Sequence, residues 1–262
     1  MKEDNNSKFK KAEINKKSMY SNILEGIPLS GACTKALWKR YQEGIIPVIP
    51  DIKRKSPKEG ELLGVRDPIN YAKALVDAGA PIISVVTEKE HYGGSLEMLS
   101  MIAEAVSVPV LRKDFINTRE QLVDSLRSGA GSVLLMASIM ETEQLLKLIT
   151  QAYDLGMEPL VEIHTKKQLD ALKACPLTFL GINNRNILEW EIDDGNVETT
   201  KRIAGNIKSK GFVLSESSIS NTEEVLTAVK AGAHGVLVGT AILKAADPVE
   251  MFHKLSIQRQ KT

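Results

Sequence analysis

Short apolar runs recur along the chain, separated by amphipathic segments of helix length. Eight runs stand out, at residues 45–52, 82–86, 108–111, 132–136, 159–163, 178–182, 211–214 and 235–238. Each is too short for a helix and rich in Val, Ile and Leu, as strands buried on both faces should be. The intervening segments carry start signals. Thr118 with Gln121, Thr165 with Gln168, Ser220 with Glu223 and Asp247 with Glu250 have capping-box spacing, in which side chains satisfy the orphan N–H groups of a first turn. Pro68 and Pro248 suit first helical positions, where the missing N–H costs nothing. Stops recur as well: Gly79, Gly129, Gly156 and Gly232 each precede a strand and supply a left-handed cap.

Eight strands alternating with helices leave two parallel architectures. A doubly wound open sheet usually carries a glycine-rich phosphate loop after its first strand, and none follows Asp51. The expected fold class is therefore α/β, a (β/α)8 TIM barrel with an N-terminal helical extension. Residues 1–18 are polar, hold six lysines and show no period, which predicts a mobile tail. Residues 19–44 form the helical extension, with Leu29, Leu37 and Trp38 as anchors, and residues 45–262 a single barrel domain.

In such a barrel the chemistry projects from the C-terminal ends of the strands. Those ends are charged here: Asp51-Ile52-Lys53 after the first, Lys113-Asp114 after the third, Glu162 in the fifth, Asn183-Asn184-Arg185 after the sixth and Glu216-Ser217-Ser218 after the seventh. Successive strand residues face opposite sides, so Asp51 and Lys53 share the barrel mouth while Ile52 packs outward. Lys113 and Glu162 add a second cation and a second carboxylate to the same crevice, a setting in which protonation states couple. Gly239-Thr240 with Ser217-Ser218 fits the phosphate site that barrels build after their last two strands. Arg54, Lys55, Glu88 and Asp114 read equally well as salt-bridged rim.

Charge and composition narrow the partners. A net charge of +1 lacks the basic excess that nucleic acid or an anionic membrane requires. No apolar run approaches a membrane span, and the Lys- and Asn-rich start has no apolar signal region, so a cytoplasmic protein is expected. The two cysteines, Cys33 and Cys175, are isolated, and two free thiols in a reducing compartment fit them best. The four histidines show no ligand spacing, so no metal is expected. No apolar seam stands out, which predicts a monomer.

Taken together, these motifs resemble the indole-3-glycerol phosphate synthase family. The resemblance runs collinearly from Pro47 to Phe252 through Lys53-Arg54-Lys55-Ser56-Pro57, Val86-Thr87-Glu88, Arg112-Lys113-Asp114-Phe115, Leu160-Val161-Glu162, Gly181-Ile182-Asn183-Asn184-Arg185 and Ser215-Glu216-Ser217. It implies a carbon–carbon lyase of tryptophan biosynthesis that closes an indole ring on a phosphorylated sugar, with loss of CO2 and water and without a cofactor. It further implies Lys113 as general acid, Glu162 as general base, and Lys53 holding anionic groups, the phosphate included. Asp51 joins this catalytic set, while Asn183 and Glu216 orient the intermediate. Arg185 faces the substrate carboxylate, Ser56 binds the substrate, Tyr92 and Leu134 line the aromatic pocket, and Ser217, Ser218, Gly239 and Thr240 cradle the phosphate. The chain departs from the family pattern at Asn186, in the segment before Gly44, and at two site positions. Asp51 stands where Glu is usual, and Ser218 replaces a glycine, which strains a serine if the position needs φ > 0. These departures leave two alternatives: a paralogue acting on a related phosphorylated sugar, and a non-catalytic phosphate-ligand-binding barrel, for which an acid–base set would be superfluous.

Overall fold

Eight parallel strands close into a barrel in which each strand pairs with its sequence neighbours and the last pairs with the first. The computed structural model describes residues 31–185, 196–207 and 210–259. The tail expected over residues 1–18, and residues 19–30 of the extension, lie outside the described residues. The strands are β1 (Val48–Ile52), β2 (Ile83–Val86), β3 (Val110–Lys113), β4 (Ser132–Met136), β5 (Glu158–Ile163), β6 (Phe179–Asn183), β7 (Phe212–Glu216) and β8 (Gly235–Val238). Around them run α1 (Ala32–Gln42), α2 (Pro68–Asp77), α3 (Leu96–Ala105), α4 (Arg119–Arg127), α5 (Thr142–Asp154), α6 (Lys166–Ala171), α7 (Glu198–Ile203), α8 (Thr222–Lys230), α9 (Thr240–Lys244) and α10 (Pro248–Leu255). A short hairpin, Lys55–Ser56 with Gly60–Glu61, decorates the loop after β1.

Period-two alternation divides each strand between two cores. Ile49, Leu111, Leu134, Leu160, Phe179, Leu214 and Leu237 fill the barrel interior. Their neighbours Val48, Ile52, Val110, Val133, Val161, Val213 and Val236 pack outward against the helices. The helix signals act largely as expected. Thr118 and Thr165 both form full capping boxes with Gln121 and Gln168, and Asp67 and Asp247 cap helices that begin with proline. Gly79, Gly129, Gly156 and Gly232 all adopt positive φ. One expected cap is displaced by a residue. Asn221, not Ser220, is the N-cap of α8 and accepts from the Glu224 N–H, while Glu224 rather than Glu223 reaches back to Ser220.

Three strands run further than their apolar runs. β3 continues to Lys113, β6 to Asn183 and β7 to Glu216, because the polar residues that end the apolar pattern still make ladder pairs. Conversely, residues 45–47 precede β1; Ile45 bridges antiparallel to Gln258 instead.

The N-terminal end of the barrel is closed by α1. Leu37 and Cys33 plug the interior core, and Trp38 stacks edge-on against Phe212 at 5.0 Å. No residue of its own caps this helix. The buried Glu158 carboxylate does so from β5, accepting from the Gly31 and Thr34 N–H groups at 2.9 Å each and from the Thr34 hydroxyl at 2.6 Å. A negative group there also meets the positive end of the helix dipole. A Cβ on Gly31 would lie 2.5 Å from Glu158 Oε2, so the approach requires glycine.

Candidate active site

At the opposite end a cavity of about 380 Å3 opens between the strand ends and their loops. Strand alternation brings Asp51, Lys53, Lys113, Leu134, Asn183 and Gly239 to its wall, and the loops add Tyr92, Arg185, Ser217, Ser218 and Thr240. Apart from Ser56, Glu162 and Glu216, every residue to which the resemblance gives a role lines this one space. Ser56 lies in the hairpin turn instead, where its hydroxyl accepts from the Glu59 N–H at 3.2 Å. The pattern Lys-x-x-Ser-Pro identified the loop; the serine shapes its turn rather than facing the cavity.

Glu162 and Glu216 lie one layer beneath the wall, fully buried, and hold Lys113 from below. Its ammonium is 3.2 Å from Glu216 Oε2 and 4.0 Å from Glu162 Oε2, with the side chain 15% exposed. Burial alone would pull the Lys113 pKa down, but the Glu216 and Glu162 charges push it well above the ordinary lysine value. Lys113 is therefore charged, and aimed at the cavity.

The two carboxylates are not equivalent. Burial pushes Glu216 up to about 7, with the Glu162 charge adding to it and Lys113 opposing it. Among the described residues neither of its oxygens has a hydrogen-bond donor beyond the Lys113 ion pair. For Glu162, burial is outweighed by the hydrogen bond from His164 and the Lys113 charge, which hold it below the usual carboxylate range. Asn183 Nδ2 donates to its Oε2 at 3.0 Å, and His164 Nε2 lies 3.1 Å from its Oε1. Two chemically identical groups a few ångströms apart are thus sorted by surroundings into one that stays ionised and one that takes a proton near neutrality. Gly181 makes room for this: any Cβ there would collide with the Glu216 carboxylate.

The remaining polar groups are held in place. Asn183 is oriented at both ends, since its Oδ1 accepts from the Arg185 N–H at 2.9 Å. Ser84 donates to Asp51 Oδ1 at 2.5 Å, and the Asp51 carboxylate packs over Gly239. The Lys53 ammonium sits 5.9 Å from the Tyr92 ring centroid. Glu88 proves to be a loop organiser. Its carboxylate accepts the N–H groups of Glu90, His91 and Tyr92 and so shapes the turn that presents Tyr92. Asp114, at the cavity wall, pairs with Arg112 at 2.8 Å and accepts from the Thr87 hydroxyl at 2.6 Å.

After β7 the chain takes two left-handed residues in succession, Ser217 at φ 67° and Ser218 at φ 56°. The backbone conformation that a glycine would adopt freely is forced on serines here. Asn184 restrains the turn, donating from Nδ2 to the Glu216 and Ser217 carbonyls at 2.9 and 3.1 Å. Facing it, α9 begins at Thr240 beside Gly239.

Sequence reasoning passed over several contributors. Phe115, Met136, Val86 and Leu237 complete an apolar wall, and Lys58 and Lys244 add cations at the rim. His164 is the most consequential omission. Its signal was its position two residues beyond Glu162, on the same side of the strand.

Comparison with known proteins agrees with this geometry. The family model for indole-3-glycerol phosphate synthase matches residues 11–255. The chain is 38% identical to an indole-3-glycerol phosphate synthase of Pyrococcus furiosus over 208 residues, covering 79% of this chain and 90% of that protein. It is 38% identical to one from Mycobacteroides abscessus over 203 residues, covering 78% and 74%, and 34% identical to one from Carboxydothermus hydrogenoformans over 234 residues, covering 89% and 87%. With the family match spanning nearly the whole barrel, and the motif residues gathered at a single cavity, the chain belongs to the indole-3-glycerol phosphate synthase family.

Proposed function

We propose that the protein is an indole-3-glycerol phosphate synthase. It converts 1-(2-carboxyphenylamino)-1-deoxyribulose 5-phosphate into indole-3-glycerol phosphate, CO2 and water in tryptophan biosynthesis, as a cytoplasmic monomer. The observation that carries this reading is the charged Lys113 at the cavity wall, 3.2 Å from a carboxylate that titrates near 7 and 4.0 Å from one that stays ionised.

In this reading the aromatic ring lies against Leu134, Phe115 and Met136, Arg185 and Lys53 meet the ring carboxylate, and the phosphate lies against Ser217, Ser218, Gly239 and Thr240. A planar guanidinium suits a carboxylate by geometry. The ring carbon bearing the carboxylate attacks the ketone, and Lys113 gives its proton to the ketone oxygen as the carbon–carbon bond forms. CO2 then leaves, its bonding electrons restoring the aromatic ring. Neutral Lys113 is a stronger base than Glu216 and regains a proton from it, so that the new hydroxyl can depart as water. Glu162 has lost one of its cationic neighbours at the moment Lys113 is neutral, and it takes the proton from the carbon beside the ring nitrogen. Two protons enter and one leaves, matching the single carboxylate lost as CO2.

Purified protein given the carboxyphenylamino sugar phosphate should develop indole fluorescence without added metal. Lys113→Ala should abolish turnover while ligand binding stays measurable. Tight binding with no turnover by the native protein would instead indicate a binding barrel, and neither binding nor turnover would indicate a different sugar phosphate. A Lys113→Ala rate close to the native one would refute the acid assignment.

A further inference from the structure

His164 touches neither the cavity wall nor, in the reading above, the substrate, yet it makes the shortest contact between the Glu162 carboxylate and any titratable group. Its Nε2 lies 3.1 Å from Glu162 Oε1, on the side of the carboxylate away from Lys113 and Asn183, which share Oε2. Its own main chain is fixed by the capping box of α6, where Gln168 Oε1 accepts the His164 and Thr165 N–H groups at 2.7 and 3.0 Å. Glu162 is 0% exposed and His164 14%, so the ring stands between the buried carboxylate and the outside.

We infer that His164 is a positioning residue for the general base: as an imidazolium it pins Glu162 Oε1 and keeps that carboxylate ionised until it takes the substrate proton. The inference rests on the proposed reaction for its consequence, though not for the ion pair itself. Two oxygens held by partners on three strands leave the carboxylate one orientation, which is what a base acting on a single carbon–hydrogen bond requires. The charged groups facing the ring are Glu162 on β5 and Glu216 on β7, with Lys113 of β3 across Glu162. Burial would lower the pKa of the ring, and these carboxylates raise it above the usual histidine value. The ionised carboxylate therefore favours the charged ring, and each group stabilises the charge of the other.

Three variants test this. His164→Ala should lower kcat about ten- to hundredfold, the scale of a misplaced catalytic group, with KM within about threefold of native. The acid limb of its kcat–pH profile should move upward by about one unit, because Glu162 loses a cationic neighbour. His164→Gln restores an N–H donor without a charge; it should recover most of kcat and keep the shifted limb. Acid limbs unchanged in both variants, with activity lost only in proportion to folded protein, would overturn the inference. Independently of turnover, the His164 ring should titrate by NMR above the ordinary imidazole range and fall back towards it in Glu162→Gln. A ring titrating normally in both proteins would refute the pair. Because that measurement needs no substrate, it stands apart from any failure of the native protein to turn over.

Discussion

Three charges meet at Lys113, and only two of them can be satisfied together. One ammonium cannot neutralise two buried carboxylates, so the less well hydrogen-bonded of the pair, Glu216, is the one driven towards protonation. Stability then depends on pH with a definite sign. A carboxyl whose folded pKa lies above its unfolded one favours folding below the unfolded value, and that contribution is lost as pH rises through about 7. Glu216→Gln should therefore raise the melting temperature more at pH 8 than at pH 5, by an amount equivalent to a few kcal/mol at most, while depressing turnover. Equal shifts at both pH values would show that Glu216 is ionised throughout. The strained pair Ser217-Ser218 offers a second residue-scale test. Ser218→Gly relaxes a left-handed serine at φ 56° and should stabilise the fold by about 1 kcal/mol in urea denaturation. No gain would mean that the contacts of the serine offset its strain. Asp51 differs from these two. The Ser84 hydroxyl tethers it, so its short side chain is an anchored group rather than a loose one.

At the scale of the element, α1 depends on a carboxylate more than a hundred positions away. Glu158→Ala strips acceptors from two N–H groups and from the hydroxyls of Thr34 and Thr178. Orphaning buried donors in this way should cost about 3 kcal/mol, read from chemical denaturation. Because the change lies at the end of the barrel remote from Lys113, kcat of the folded fraction should stay near native; a collapse in kcat would mean that the two ends are coupled. The same elements show what a sequence can and cannot reveal. Eight apolar runs, the caps at Thr118 and Thr165 and the glycine stops were legible because each reflects a local physical rule. The ends of β3, β6 and β7 were not, since apolarity fades where Lys113, Asn183 and Glu216 take over, although the ladder continues through them. Strand alternation located Asp51, Lys53, Lys113 and Asn183 at one mouth. It could not reveal that Glu158 of the same β5 would serve as a helix cap, because that depends on how α1 docks across distant strands, whereas His164, two residues beyond Glu162, carried a signal that was passed over. Nor could it separate Ser56, held in a turn, from the cavity residues beside it in the motif.

The whole molecule divides its tasks between its two ends. Leu37, Cys33, Phe179 and Phe212 consolidate the lower half of the barrel, and among the described residues the polar groups assigned to chemistry gather at the upper half. Seating α1 across the base closes that end of the barrel, so that arriving reactant and departing product share the cavity at the strand ends. The two molecules must then contend for the same threshold. Indole-3-glycerol phosphate added to the assay should raise the apparent KM and leave kcat untouched, the pattern of pure competition, whereas a fall in kcat would show that it also binds enzyme already holding substrate.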